Sequence, residues 1–138
     1  MADTREDLVR LLNRAMSMEY GGLFLLPNYI AQVQDEELKR ELRLIVDVEL
    51  EHAEKTAQLI YALGGTPNAD LPQVRPRSGA REIVEAQIEA EKAAVEIYTR
   101  GAAFAPEANV REVLGEIGRE EEGHLALLQR SLARLDAK

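Results

Sequence analysis

The chain contains no cysteine and no tryptophan. Without cysteine there is no disulfide, no thiolate metal site and no Cys-x-x-Cys redox pair, so any metal must be held by oxygen and imidazole donors. Aromatic residues make up only 4% of the sequence, while Ala, Leu, Glu and Arg dominate, a composition that favours helix. No stretch carries a strand signal that competes with this reading. No run of about 18 apolar residues exists to span a bilayer. The first seven residues, Met1 to Asp7, are polar and lack the apolar stretch of a signal peptide, so the expected location is the cytoplasm. Cationic residues are also in deficit, 17 against 25 acidic ones, for a formal charge of -8. Nucleic-acid binding needs clustered Lys and Arg and is therefore not expected. An acidic surface raises the local concentration of cations instead. Within those limits, 138 residues with 46% hydrophobic and 30% charged content describe one globular domain, 1–138, with a real core.

Hydrophobic periodicity predicts four helices: α1 over about 4–33, α2 over 36–63, α3 over 80–103 and α4 over 107–135. The stripe of α1 reads Leu8, Leu12, Ala15, Glu19, Leu23, Leu26, Ile30, Val33, with Thr4 as a candidate N-cap. Gly21-Gly22 and Pro27 are expected to weaken or kink its second half. Asp35 caps α2, whose stripe is Leu38, Leu42, Ile45, Glu49, His52, Thr56, Leu59, Leu63, and Gly64-Gly65 stops it. The α3 stripe is Ile83, Gln87, Glu91, Val95, Tyr98, Ala102. Ala105-Pro106 then separates α3 from α4, which carries Val110, Leu114, Ile117, Glu121, His124, Leu128 and Leu135. Residues 64–79 hold three prolines and no helical period and read as an extended loop. Sixteen residues can reach ~50 Å, enough to run back along a helix of ~42 Å and start α3 at the same end as α2. The prediction is an all-α, antiparallel four-helix bundle of two helical hairpins joined by one long crossover.

The chain has only two histidines, and each follows a glutamate by three residues: Glu49-Leu50-Glu51-His52 and Glu121-Glu122-Gly123-His124. On a helix, residues three apart leave the same face and can close on one metal ion. The two units are 72 residues apart, and the same offset pairs Glu19 with Glu91, so Glu19 to Glu49 and Glu91 to Glu121 each span 30 residues. Leu42/Leu114, Ile45/Ile117 and Leu63/Leu135 repeat at that offset too, which suggests a duplicated hairpin. Glu19 and Glu49 lie about 15 residues on either side of the α1–α2 turn. Glu91 lies about 14 residues before the α3–α4 turn and Glu121 about 16 after it. At ~1.5 Å per residue each pair is level to within ~3 Å, so all six side chains are expected to meet.

Four carboxylates and two imidazoles on core stripes are very costly if left unpaired. Two divalent cations carry +4, which four glutamates neutralise, and each neutral imidazole adds a nitrogen donor. This mixed set suits iron or manganese. Glu49 and Glu121 would bridge the ions, with Glu19 and His52 on one and Glu91 and His124 on the other. A lone Glu-x-x-His reads as a solvated pair; two of them with two level glutamates do not. Tyr98 reads as a core tyrosine with a satisfied hydroxyl or as a neighbour of the site. Among Glu51, Glu54, Glu120 and Glu122, Glu120 is the one expected to hold a ligand histidine, and the rest form solvated faces. Gly21, Gly22 and Gly123 either open space near the metals or allow close packing.

Glu19, Glu49-x-x-His52, Glu91 and Glu121-x-x-His124, together with Ser17-Met18-Glu19-Tyr20, resemble the ferritin-like superfamily, most closely its bacterioferritin and rubrerythrin branch, over essentially the whole chain. The resemblance implies a di-iron centre made by these six residues, acting as metal ligands and catalytic groups, and oxidation of Fe(II) by dioxygen or hydrogen peroxide. There are departures. Leu50 stands where bacterioferritins carry a haem-ligating methionine, so no haem is expected. Ala94 stands where rubrerythrins carry an additional glutamate, and their cysteine-rich domain is lacking. The sequence stops at Lys138 without the short fifth helix of the large cages, so a homodimer or another homo-oligomer is expected rather than a 24-subunit store. The leading expectation is a ferroxidase or peroxidase that handles iron and oxidative stress. Two alternatives are a di-iron oxidase or hydroxylase acting on an organic substrate through an apolar pocket past Gly21-Gly22, and a non-catalytic bundle stabilised by metal.

Overall fold

The computed structural model describes residues 4–138, and residues 1–3, part of the polar leading segment, lie outside the described residues. Among the described residues there are four helices and no strand: α1 Thr4–Gln32, α2 Glu36–Ala62, α3 Ala80–Phe104 and α4 Ala108–Asp136. Thr4 is the first described residue and already lies in the helix, so it is not the N-cap expected from the sequence. α1 runs unbroken past Gly21, Gly22 and Pro27. Pro27 is exposed, while Leu26 and Tyr29 on either side are fully buried and fix the last two turns by packing.

Each end of α2 has a local chemical cause. Asp35 adopts an extended conformation and its carboxylate accepts the Leu38 N–H at 2.9 Å, satisfying one of the free donors of the first turn. At the other end Gly64 has φ 84°, and the Gly65 and Gly64 N–H groups donate to the Ile60 and Tyr61 carbonyls. This is the glycine-terminated helix end in which the orphan carbonyls of the last turn are capped by the returning chain. At Gly65 a Cβ would stand 2.7 Å from Val9 Cγ1, so the close approach of α1 to this turn requires glycine.

Neighbouring helices are antiparallel, and the parallel pairs, α1 with α4 and α2 with α3, lie diagonally. The crossover makes this possible by running back along α1. Asn13 accepts the Asn68 N–H at 2.7 Å, Tyr20 donates to the Asn68 carbonyl at 2.8 Å, and the Tyr29 hydroxyl accepts the Arg77 N–H at 3.1 Å. The core forms two apolar layers. One, around Leu8, Leu12, Ile60, Leu114 and Ile117, fills the end where α1 begins. The other, around Leu26, Leu38, Leu42, Ile83 and Leu128, fills the opposite end. The six residues singled out in the sequence lie between the two layers.

The second end is clasped by ions. Arg134 in the last turn of α4 donates from both terminal nitrogens to Glu41, at 2.9 and 3.2 Å, and forms an ion pair with Glu37, 3.1 Å from its Nε. Lys138 donates to Asp35 at 2.7 Å. The Lys138 ammonium and the Leu38 N–H hold the Asp35 carboxyl at about 2, below its ordinary 3.8. A carboxyl depressed in the folded state stabilises the fold above its unfolded value and loses that contribution as pH falls through the folded value. Replacing Asp35 with Ala is therefore expected to cost about 1 kcal/mol at neutral pH. The stability difference between the two proteins should shrink between about pH 4 and pH 2, which urea unfolding curves across that range measure.

Candidate metal centre

All six side chains predicted from the sequence are brought together at mid-bundle. Glu19 comes from α1, Glu49 and His52 from α2, Glu91 from α3, and Glu121 and His124 from α4. The three-residue spacing places the glutamate and histidine of each unit on one face, as helical geometry requires. Two groups share members: Glu19, Glu49, His52 and Glu121, and Glu49, Glu91, Glu121 and His124. Within each, one donor atom per residue lies within 4.8 Å of all the others. Glu49 and Glu121 belong to both. The two imidazoles face each other across the pair, with ring centroids 6.3 Å apart.

Burial is nearly complete, with Glu121 1%, Glu19 2% and His52 0% exposed. His124 Nδ1 lies 3.2 Å from Glu49 Oε1 and 3.4 Å from Glu121 Oε1. His52 Nδ1 lies 2.9 Å from Glu121 Oε1, but not along a hydrogen-bond direction. On its far side, His52 Nε2 faces Glu120 Oε2, of the glutamate preceding the second motif, at 3.5 Å without hydrogen-bond geometry. Glu51, Glu54 and Glu122 are exposed. Tyr98 satisfies both of its sequence readings at once. It is fully buried, its hydroxyl donates to Glu19 Oε1 at 3.0 Å, and it lies 3.0 Å from Thr56 Oγ1. Thr56 stood on the α2 stripe four residues after His52, a spacing that could have marked it as part of this polar layer.

The electrostatics show how poorly these groups satisfy one another. Burial pushes Glu19 well above the usual carboxylate range, and the neighbouring Glu49 pushes it further. Burial likewise raises Glu91, to about 8. Burial acts against the charge of Glu49 too, but its neighbours Glu19, His124 and His52 hold it well below the usual range. Burial disfavours charge on the imidazoles, yet Glu121 and Glu49 outweigh it and raise His52 to about 10. The same partners together with Glu91 raise His124 to about 11. Even so, Glu19 Oε2, Glu91 Oε2, Glu121 Oε1 and both His52 nitrogens are buried with no hydrogen-bond partner. Unpaired polar atoms in a protein interior are rare and costly. Among the described residues, five of the six such atoms belong to oxygen and imidazole donors converging from four helices, which fits a pair of divalent cations; the sixth is Arg134 Nε. These cations would have to displace the protons that the cluster otherwise holds. Uptake of Zn(II) or Mn(II) at pH 7 should therefore release roughly two to four protons per chain, read with a pH indicator in weak buffer. Affinity should fall as pH is lowered. Uptake without proton release would contradict this electrostatic picture.

A family model described as a ferritin-like domain matches residues 9–137. The chain superposes on a ferritin-like di-iron-carboxylate protein from Bacillus anthracis with a TM-score of 0.87 and 25% identity, covering 96% of this chain and 99% of that one. With a Mycobacterium tuberculosis bacterioferritin the TM-score is 0.85 and the identity 26%, over 99% and 89% of the two chains. A dodecameric thioferritin from Bacteroides fragilis shares the fold, with a TM-score of 0.85 at 22% identity over 96% and 88%. The search of curated proteins gives no match.

Proposed function

The chain belongs to the ferritin-like domain family, and from that premise we propose that it oxidises Fe(II) with hydrogen peroxide or dioxygen at a di-metal centre. The observation that carries this reading is the pair of donor groups that share Glu49 and Glu121. Glu19 and His52 would hold one ion, Glu91 and His124 the other, and the shared glutamates would hold both. Iron held there supplies one electron per ion. As a substrate balance, two Fe(II) and two protons convert one hydrogen peroxide to two waters, leaving two Fe(III).

The chain's own residues prepare the site for this. Tyr98 holds Glu19 by one oxygen and leaves the other without a partner. Glu120 places a carboxylate 3.5 Å from His52 Nε2, on the side of the ring away from the cluster. The two apolar layers close the cluster off from water at both ends and so strengthen the attraction of the carboxylates for cations. Leu50, where a haem ligand would stand in bacterioferritins, is 60% exposed on the outer face of α2. Phe24, Leu44, Tyr61 and Leu71 are large apolar side chains that are also exposed. With the multimeric description of the B. fragilis neighbour, they support a homo-oligomer.

Anaerobic Fe(II) titration is expected to show about two ions bound per chain, followed by oxidation on adding peroxide or air. Glu91→Ala removes one of the donors that is not shared and should abolish the second equivalent and the rapid oxidation. Tight zinc that iron cannot displace, or bound Fe(II) inert to both oxidants, would leave a structural bundle instead.

A further inference from the structure

A pocket of about 280 Å³ opens between α1 and α3, with the four glutamates of the cluster on its inner wall. Most of its other lining is small or apolar, including Gly21, Gly22 and Leu25 from α1, Ala90 and Ala94 from α3, and Val74 from the crossover. The two glycines are not there for close packing. A Cβ at Gly21 would meet only Val74 Cγ1, at 3.8 Å, and one at Gly22 only Leu26 Cδ1, at 4.0 Å. Neither has a positive φ. Each glycine costs a helix interior about 1 kcal/mol relative to alanine, so two in succession at this level act against the helix and leave open space beside the cluster.

An independent feature points to what fills that space. Gln87 stands one turn before Glu91, lines the pocket and is only 4% exposed. Its amide has no hydrogen-bond partner among the described residues. It is not one of the six donors of the metal cluster. Its amide atoms are not among those sealed from solvent, so they open on the pocket and present one donor group and one acceptor that a single hydroxyl can satisfy.

We propose that this pocket binds a small, uncharged, hydroxyl-bearing organic molecule, with its apolar body against Gly21, Gly22 and Ala94 and its hydroxyl on Gln87. Four glutamates with two divalent cations carry no net charge, which selects against a charged ligand. A dry cavity of about 150 Å³ accommodates benzene, so this one accommodates a single substituted ring. The proposal goes beyond Fe(II) oxidation: it assigns an organic ligand to the space beside the metals and is tested by binding alone.

p-Cresol and toluene differ only in the hydroxyl and serve as probes for calorimetry or ligand-observed NMR on the Zn(II)-loaded full-length chain. p-Cresol is expected to bind once per chain, about fivefold more tightly than toluene. Gln87→Leu should remove that preference while toluene still binds. Gly21→Leu should weaken both probes by about tenfold or more. Val74→Trp closes the pocket from the exposed crossover and should do the same if the helix variant folds poorly. Absence of saturable p-cresol binding, as a pocket holding only water would give, overturns the proposal. So does binding that neither filling variant changes, or a cresol preference that survives in Gln87→Leu. Zinc uptake is counted on the same samples. Two zincs with no cresol binding leave the Fe(II) reading standing, whereas cresol binding without zinc uptake overturns the Fe(II) reading and leaves the pocket.

Discussion

Four carboxylates and two imidazoles lie at one level of a helical core, and the bundle is built around keeping them there. Isolated charges in an apolar interior cost several kcal/mol each even after relaxation. These groups recover part of that by pairing, as His124 does with Glu49 and Tyr98 with Glu19. Five buried atoms are still without partners. The remaining support comes from the apolar layers on either side, which hold the helices in register whatever the charge state between them. The same layers close the cluster off at both ends, so a cation entering it meets carboxylates with little screening.

Register is the second requirement, since a glutamate one turn out of place would miss the cluster by about 5 Å. It is set at the ends. Gly65 allows α1 to approach the end of α2 closely through Val9. Asp35, Glu37 and Glu41 clasp Arg134 at the opposite end and fix α4 against α2. The crossover is tied to α1 through Asn13, Tyr20, Tyr29 and Gln32, so it acts as a strap along the helix that carries Glu19. Its Val74 lies over Gly21, which joins the strap to the edge of the cluster.

Much of this was legible in the sequence because helical spacing translates directly into position. Glu-x-x-His twice, plus two glutamates at equal distances from their turns, was enough to place six side chains at one level. The Asp35 cap and the Gly64-Gly65 stop were visible for the same reason: each is local chemistry with a fixed offset. Three things were not. Pro27 suggested a weakened or kinked second half, and the continuation of α1 to Gln32 rests on the burial of Leu26 and Tyr29, a tertiary effect that no local propensity contains. The clasp of Arg134 onto Glu41 joins residues 93 apart on exposed-looking helix faces. The role of Gln87 depended on a pocket, and the sequence showed only a polar residue on an apolar stripe. For Gly21-Gly22 the sequence left open space and close packing as alternatives, and the distances around them favour open space.

The central claim is that this polar layer holds a pair of ions that share Glu49 and Glu121. Anomalous diffraction from crystals of the Mn(II)-loaded chain tests it most directly. The account predicts two peaks per chain, about 3.5–4 Å apart, both within bonding distance of Glu49 and Glu121. Glu19 and His52 should lie on one peak, and Glu91 and His124 on the other. A single peak, or two ions with no shared glutamate, would contradict it.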